Sequence, residues 1–166
     1  MITALLGRTL ADLGQRMLLV DADLQNPALH HLLGATNGSG FSDLLADPAR
    51  LPEEVIQSLS RNLHLLSVGT TPGEASKLLG SKDGRRILER IRNLPGYDMV
   101  LFDSSPTLGV GDALLLGREL DGIVFLVGLE EVERAMPAQA LERFRATGAE
   151  VLGIVTNSPS VPAESS

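Results

Sequence analysis

The chain contains no cysteine in its 166 residues. That absence excludes a disulfide framework, a thiolate metal site and a cysteine nucleophile. Aromatic residues are nearly as scarce, with no tryptophan, one tyrosine and four phenylalanines. A core made without them comes from Leu, Val, Ile and Ala, which suits parallel strands buried under Leu/Ala-rich helices better than a β-sandwich. Positive charge is in deficit, 14 Lys and Arg against 21 Asp and Glu, for a net charge of -7. Such a balance argues against a nucleic-acid surface, where clustered Lys and Arg must neutralise phosphates. No apolar run approaches the ~20 residues of a membrane span. Arg8 and Asp12 interrupt the first apolar stretch, so it does not read as a signal peptide. A cytoplasmic protein with a single core is the expectation.

What is present alternates strand and helix. Three short apolar runs read as strands buried on both faces, because none alternates polar with apolar residues: Met17 to Val20, Met99 to Phe102 and Ile123 to Val127. Val151 to Val155 is a fourth, interrupted by Gly153, and Leu63 to Val68 a weaker fifth. Helical patterns lie between them. Thr3 to Leu13 stops at Gly14, a C′ glycine, and Glu74 to Asn93 divides near Gly80-Ser81. Asp112 to Leu120 opens on a capping-type residue, and Arg134 to Thr147 ends at Gly148, its regular part following Pro137. Asn26 to Leu51 reads as a loop with short helical turns. The alternation implies right-handed βαβ crossovers and a doubly wound, mostly parallel sheet with helices on both faces. One domain is expected over residues 1–157, followed by a disordered tail at 158–166.

Ligands of open α/β sheets bind beyond the carboxyl ends of the strands. Two strands end there in acids: Met17 to Val20 runs into Asp21-Ala-Asp23-Leu-Gln25-Asn26-Pro27, and Met99 to Phe102 into Asp103-Ser-Ser-Pro106. An acid next to a buried strand is costly unless a cation or hydrogen bonds compensate it. Three such acids converging on one edge suit a magnesium–phosphate site. An Asp at a strand end also starts a turn or caps the next helix. For one acid alone the two accounts stand side by side, and the second strand end favours the site.

These segments resemble the motifs of the deviant P-loop ATPases. Val20 to Pro27 is similar to their second Walker motif, a strand followed by D-x-D-L-R-x-P. Val100 to Pro106 is similar to their Walker B, a strand followed by D-x-x-P. Pro72 to Ser81 looks like the N-P-x-E-L-L-x-S stretch between the two, and Gly111 to Leu116 and Val151 to Asn157 match in kind and order. The closest group is the bacterial tyrosine kinases of capsule and exopolysaccharide assembly; plasmid-partition and septum-site ATPases are more distant. The resemblance covers roughly residues 3–157. It implies ATP and Mg2+ as cofactors. Asp21 would orient or deprotonate the attacking hydroxyl, Asp23 would assist there and at the metal, Asp103 would hold the metal, and Asn157 would bond the adenine edge. It further implies a membrane-embedded chain-length regulator as partner, placement at the inner face of the membrane through it, and a homo-oligomer.

The chain departs from that pattern most plainly in having no G-x-x-x-x-G-K-S/T, the loop whose amides and lysine cradle phosphates. The family fold puts the strand before that loop mid-sheet, next to the Walker B strand. Each buried unpaired ladder group costs ~1–3 kcal/mol, and several together rival a domain's ~5–15 kcal/mol. The expectation is therefore a truncated chain, inactive by itself, to be tested on the DNA upstream of codon 1. Gln25 replaces the family's usual Arg, and no tyrosine cluster follows residue 157. The alternatives are a partition-type or septum-site ATPase, or a non-catalytic interaction module that has lost nucleotide binding. His30, His31 and His64 read as surface or loop residues, Tyr97 as a packing residue, and Lys82, Arg85, Arg86, Arg90 and Arg92 as a solvated helix face.

Overall fold

β1 (Met17–Ala22) is the best-buried element of the chain, with all six residues inside. It lies between two parallel partners, β3 (Leu63–Leu66) and β4 (Met99–Ser104). A two-residue strand, β2 (Gln57–Ser58), adds antiparallel to the outer side of β3, giving the order β2-β3-β1-β4. This computed structural model describes residues 1–104, 111–128 and 135–157. It divides into two compact units, Met1–Ser105 and Pro106–Ser166.

Side chains of a strand alternate between faces, so β1 needs cover on both. On one face Met17 and Leu19 join Ala4 and Ala11 of α1 (Ile2–Asp12), Leu29 and Leu33 of α2 (Leu29–Leu33), and Leu63 and Leu65 of β3. α1 approaches closely because Gly7 has no side chain; a Cβ there would stand 2.6 Å from a Leu19 methyl carbon. The helix ends as its sequence predicts. Gly14 takes φ +94, its amide bonds the Ala11 carbonyl, and the Gln15 amide bonds that of Leu10. Leu18 and Val20 face the other way and are equally buried. On that side Phe41 of α3 (Phe41–Ala46) meets Phe102 of β4 edge-on at 6.4 Å. α3 packs in turn with α4 (Pro72–Leu79) and α5 (Lys82–Arg92). The division between these helices falls at Gly80-Ser81, where the Ser81 hydroxyl accepts from the Gly84 amide.

In the second unit β5 (Ile123–Gly128) and β6 (Val151–Asn157) pair in parallel, with a register irregularity between Ile123 and Val124. Phe125 packs with Ala113 of α6 (Gly111–Glu119) and with Ala140 and Phe144 of α7 (Ala135–Thr147). The chain is thus α/β with mostly parallel pairing, as its alternation implies. Pro137 lies within the first turn of α7 instead of before it. β2 is the one strand not anticipated, being too short to carry a period. The tail at 158–166 and Pro106 of the second acidic motif lie outside the described residues. Among the described residues no helix is long and apolar enough to cross a membrane.

Candidate functional site

Asp21 and Asp103 are partners in the β1–β4 register, one pair beyond Val20 and Phe102. Paired residues of parallel strands point to the same face, and neighbouring strands lie ~4.8 Å apart. The two carboxylates therefore meet side by side at the carboxyl end of the sheet, on the face covered by α1. Asp21 is fully buried. Its Oδ2 accepts from the amides of Ala28 (3.1 Å) and Leu29 (3.0 Å), where the chain enters α2. Its Oδ1 is buried with no hydrogen-bond partner among the described residues. Burial is the main cause that pushes the Asp21 carboxyl up from 3.8 to about 6; the Leu29 amide opposes it and the Asp103 charge adds to it. Asp103 is half-buried, and its Oδ1 accepts from the Thr3 hydroxyl of α1 at 2.5 Å.

Asp23 takes a different course. The strand ends at Ala22 and the backbone turns, so the strand rule that would place residues 21 and 23 on one face no longer applies. The Asp23 Oδ1 accepts from the amides of Gln25 (3.2 Å) and Asn26 (3.0 Å), closing the turn that leads into Pro27. Among the described residues no group of three His, Cys, Asp or Glu side chains could hold a metal ion. The structure brings 21 and 103 together, while Asp23 is engaged in the turn that follows β1. Asn157 is exposed at the end of β6, opposite Gly128 in the register of the second unit.

A divalent cation fits this pair. An orphaned buried carboxylate oxygen beside a second carboxylate is an arrangement that a cation relieves, and Mg2+ takes one or two carboxylates with water and phosphate oxygens completing its shell.

The neighbouring rim, at the end of β3, is tied by residues that the sequence did not flag. The Asp43 carboxylate accepts from the Gly40 amide (2.8 Å), the Thr70 amide (3.0 Å) and the Thr70 hydroxyl (2.5 Å). Burial pushes Asp43 up, and these donors outweigh it to hold the carboxyl below its usual range. The Ser42 hydroxyl accepts from Thr71, and Asn37 from Gly69, which takes φ +93. Asp43 had a signal, an acid at the third position of a short helix. Thr3 had none, since its partner lies 100 residues away.

His30 is a correction. It is buried on the core side of α2 with its Nδ1 unpartnered, while His31 is exposed. Tyr97 packs edge-on against His64 at 5.4 Å, in keeping with a packing residue. Arg90 reaches the carbonyls of Pro48 and Arg50, so that part of the basic stretch holds a loop.

The fold is that of P-loop-type nucleotide-binding proteins. The kinase domain of the Escherichia coli tyrosine kinase ETK superposes with a TM-score of 0.84 at 26% identity, over 99% of this chain and 64% of that one. A septum-site-determining protein from Pyrococcus horikoshii, solved with Mg-ADP, has a TM-score of 0.74 at 22% identity and likens the fold alone; it covers 94% of this chain and 63% of that one. No protein-family model matches the chain. In sequence it is 31% identical over 147 residues to tyrosine-protein kinase YwqD of Bacillus subtilis, covering 89% of this chain and 61% of the kinase. It is 27% identical to the putative tyrosine-protein kinase CapB of Staphylococcus aureus, over 99% of this chain and 72% of that protein. In sequence the chain is similar to bacterial tyrosine kinases, and it spans 61% of the length of the first of them.

Proposed function

We propose that this chain supplies the carboxylate half of a magnesium–ATP site for phosphoryl transfer to a tyrosine hydroxyl, in a protein that regulates capsule or exopolysaccharide assembly. The observation that carries the proposal is the adjacent pair Asp21 and Asp103, with its one buried oxygen lacking a partner. Asp103 would hold Mg2+, directly or through a water. Asp21, fixed through Oδ2 and with a carboxyl pushed up to about 6, would orient the attacking hydroxyl and take its proton. A base works best with its pKa near the working pH. Bound Mg2+ would neutralise charge on the transferring phosphoryl group. Asp23 would shape the turn behind Asp21 and not ligate the metal.

No G-x-x-x-x-G-K-S/T, the loop that would cradle the phosphates of such a site, occurs in these residues. A membrane-embedded chain-length regulator as partner, and self-association, follow from the same homology and belong to the proposal. The test joins a segment carrying G-x-x-x-x-G-K-S/T ahead of Met1 and follows phosphate transfer from ATP to a tyrosine peptide. Transfer that falls ~100-fold or more in Asp21→Asn and in Asp103→Asn supports the site. Transfer that survives both changes refutes it.

A further inference from the structure

Each of the two carboxylates has one oxygen tied by the fold. Asp21 is held through Oδ2 by two backbone amides, and Asp103 through Oδ1 by a single side chain, the hydroxyl of Thr3. Asp21 Oδ1 has no partner, and among the described residues Asp103 Oδ2 accepts no hydrogen bond. We propose that Thr3 is a positioning residue for Asp103: its hydroxyl fixes the rotamer so that the free oxygens of the two acids are presented to one divalent cation. The inference rests on the site proposed above and assigns it a residue from the other end of the chain.

Three observations bear it. The bond is short, at 2.5 Å, within the range of O–H donors to carboxylates. Thr3 sits in the first turn of α1, and the close approach of α1 to β1 at Gly7 fixes where that turn lies. α1 also opens with no side-chain cap and no acid in its first turn. A helix N-terminus favours a negative charge nearby, and Asp103 is the acid that Thr3 brings to it. Asp103 lies one residue before the end of β4, and a metal ligand depends on an outer partner for its orientation.

A role confined to the structure would also involve this bond, because it joins α1 to β4. The two accounts part in metal binding by protein that remains folded. The probe is Mn2+ alone, titrated into the 166-residue chain and followed by paramagnetic broadening of the Asp21 and Asp103 amide resonances. Thr3→Val keeps the shape and removes the donor; Thr3→Ser keeps the donor. We expect Thr3→Val to raise the Mn2+ midpoint about 10-fold, as loss of an outer partner does, and Thr3→Ser to stay within about 2-fold of wild type. An unchanged midpoint in folded Thr3→Val overturns the inference and leaves the carboxylate site standing. If Thr3→Val does not fold, Thr3→Ala and Thr3→Ser are compared in its place, and equal midpoints overturn the inference in the same way. Failure of wild type to bind Mn2+ at these amides refutes both the site and the role of Thr3.

Discussion

Replacing Asp21 by asparagine is expected to stabilise the protein at neutral pH, although it alters a buried and hydrogen-bonded side chain. Asp21 is fully buried, and that burial above all, with the Asp103 charge, pushes its carboxyl from 3.8 up to about 6. A shift of roughly two units corresponds to about 3 kcal/mol. Between those pH values the fold binds more protons than the unfolded chain, so stability falls as pH rises. The contribution is complete below about pH 4 and gone by about pH 7. Asparagine retains an acceptor for the Ala28 and Leu29 amides and has no charge to desolvate. Urea unfolding of wild type and Asp21→Asn should therefore give stabilities that converge near about pH 4. At about pH 8 the variant should lead by about 2–3 kcal/mol. Millimolar Mg2+ should raise wild type at the alkaline end and leave the variant unmoved. A difference that does not vary with pH, or a variant less stable at the alkaline end, would refute the reasoning.

Further outcomes follow from the packing. Gly7→Ala is expected to lower stability by about 1–3 kcal/mol, outweighing alanine's better helix propensity of about 1 kcal/mol, because the new Cβ meets Leu19; a thermal melt checks it. Asp43→Ala removes the acceptor of three donors at the end of β3 and should cost about 2 kcal/mol. Amide exchange at Thr70 should accelerate most, with Asp43→Asn falling between variant and wild type. Gly69→Ala, forced to φ +93 against the Asp43 carboxylate, should cost about 1–3 kcal/mol in urea unfolding.

The parts of the fold legible in the sequence were those whose burial leaves a compositional trace. β1 stands out because a strand covered on both faces carries an unbroken apolar run, and α1 ends where Gly14 can take a positive φ. β4 and β5 carry similar runs, but the expectation that they are buried on both faces is corrected: Met99, Val124 and Leu126 are exposed. Asp21 and Asp103 were visible as acids placed where apolar strands end, and the β1–β4 register pairs them. The turn after β1 was less legible. Asp23 is close in sequence to Asp21, but its carboxylate is engaged by backbone amides two and three residues on, the ordinary use of Asp in a turn. His30 is buried because it follows Leu29 onto the core side of α2, and a five-residue helix is too short to show its period. Thr3–Asp103 and Asp43–Thr70 join residues 100 and 27 positions apart, and no local pattern foretells such pairs.

The central claim, that Asp21 and Asp103 share one divalent cation, is tested most directly by electron paramagnetic resonance of Mn2+ with wild type and three single variants. The account predicts one saturable site in wild type that Mg2+ displaces. It predicts weakening of about 10-fold or more in both Asp21→Asn and Asp103→Asn, and little change in Asp23→Asn. Equal Mn2+ binding in wild type, Asp21→Asn and Asp103→Asn would contradict it.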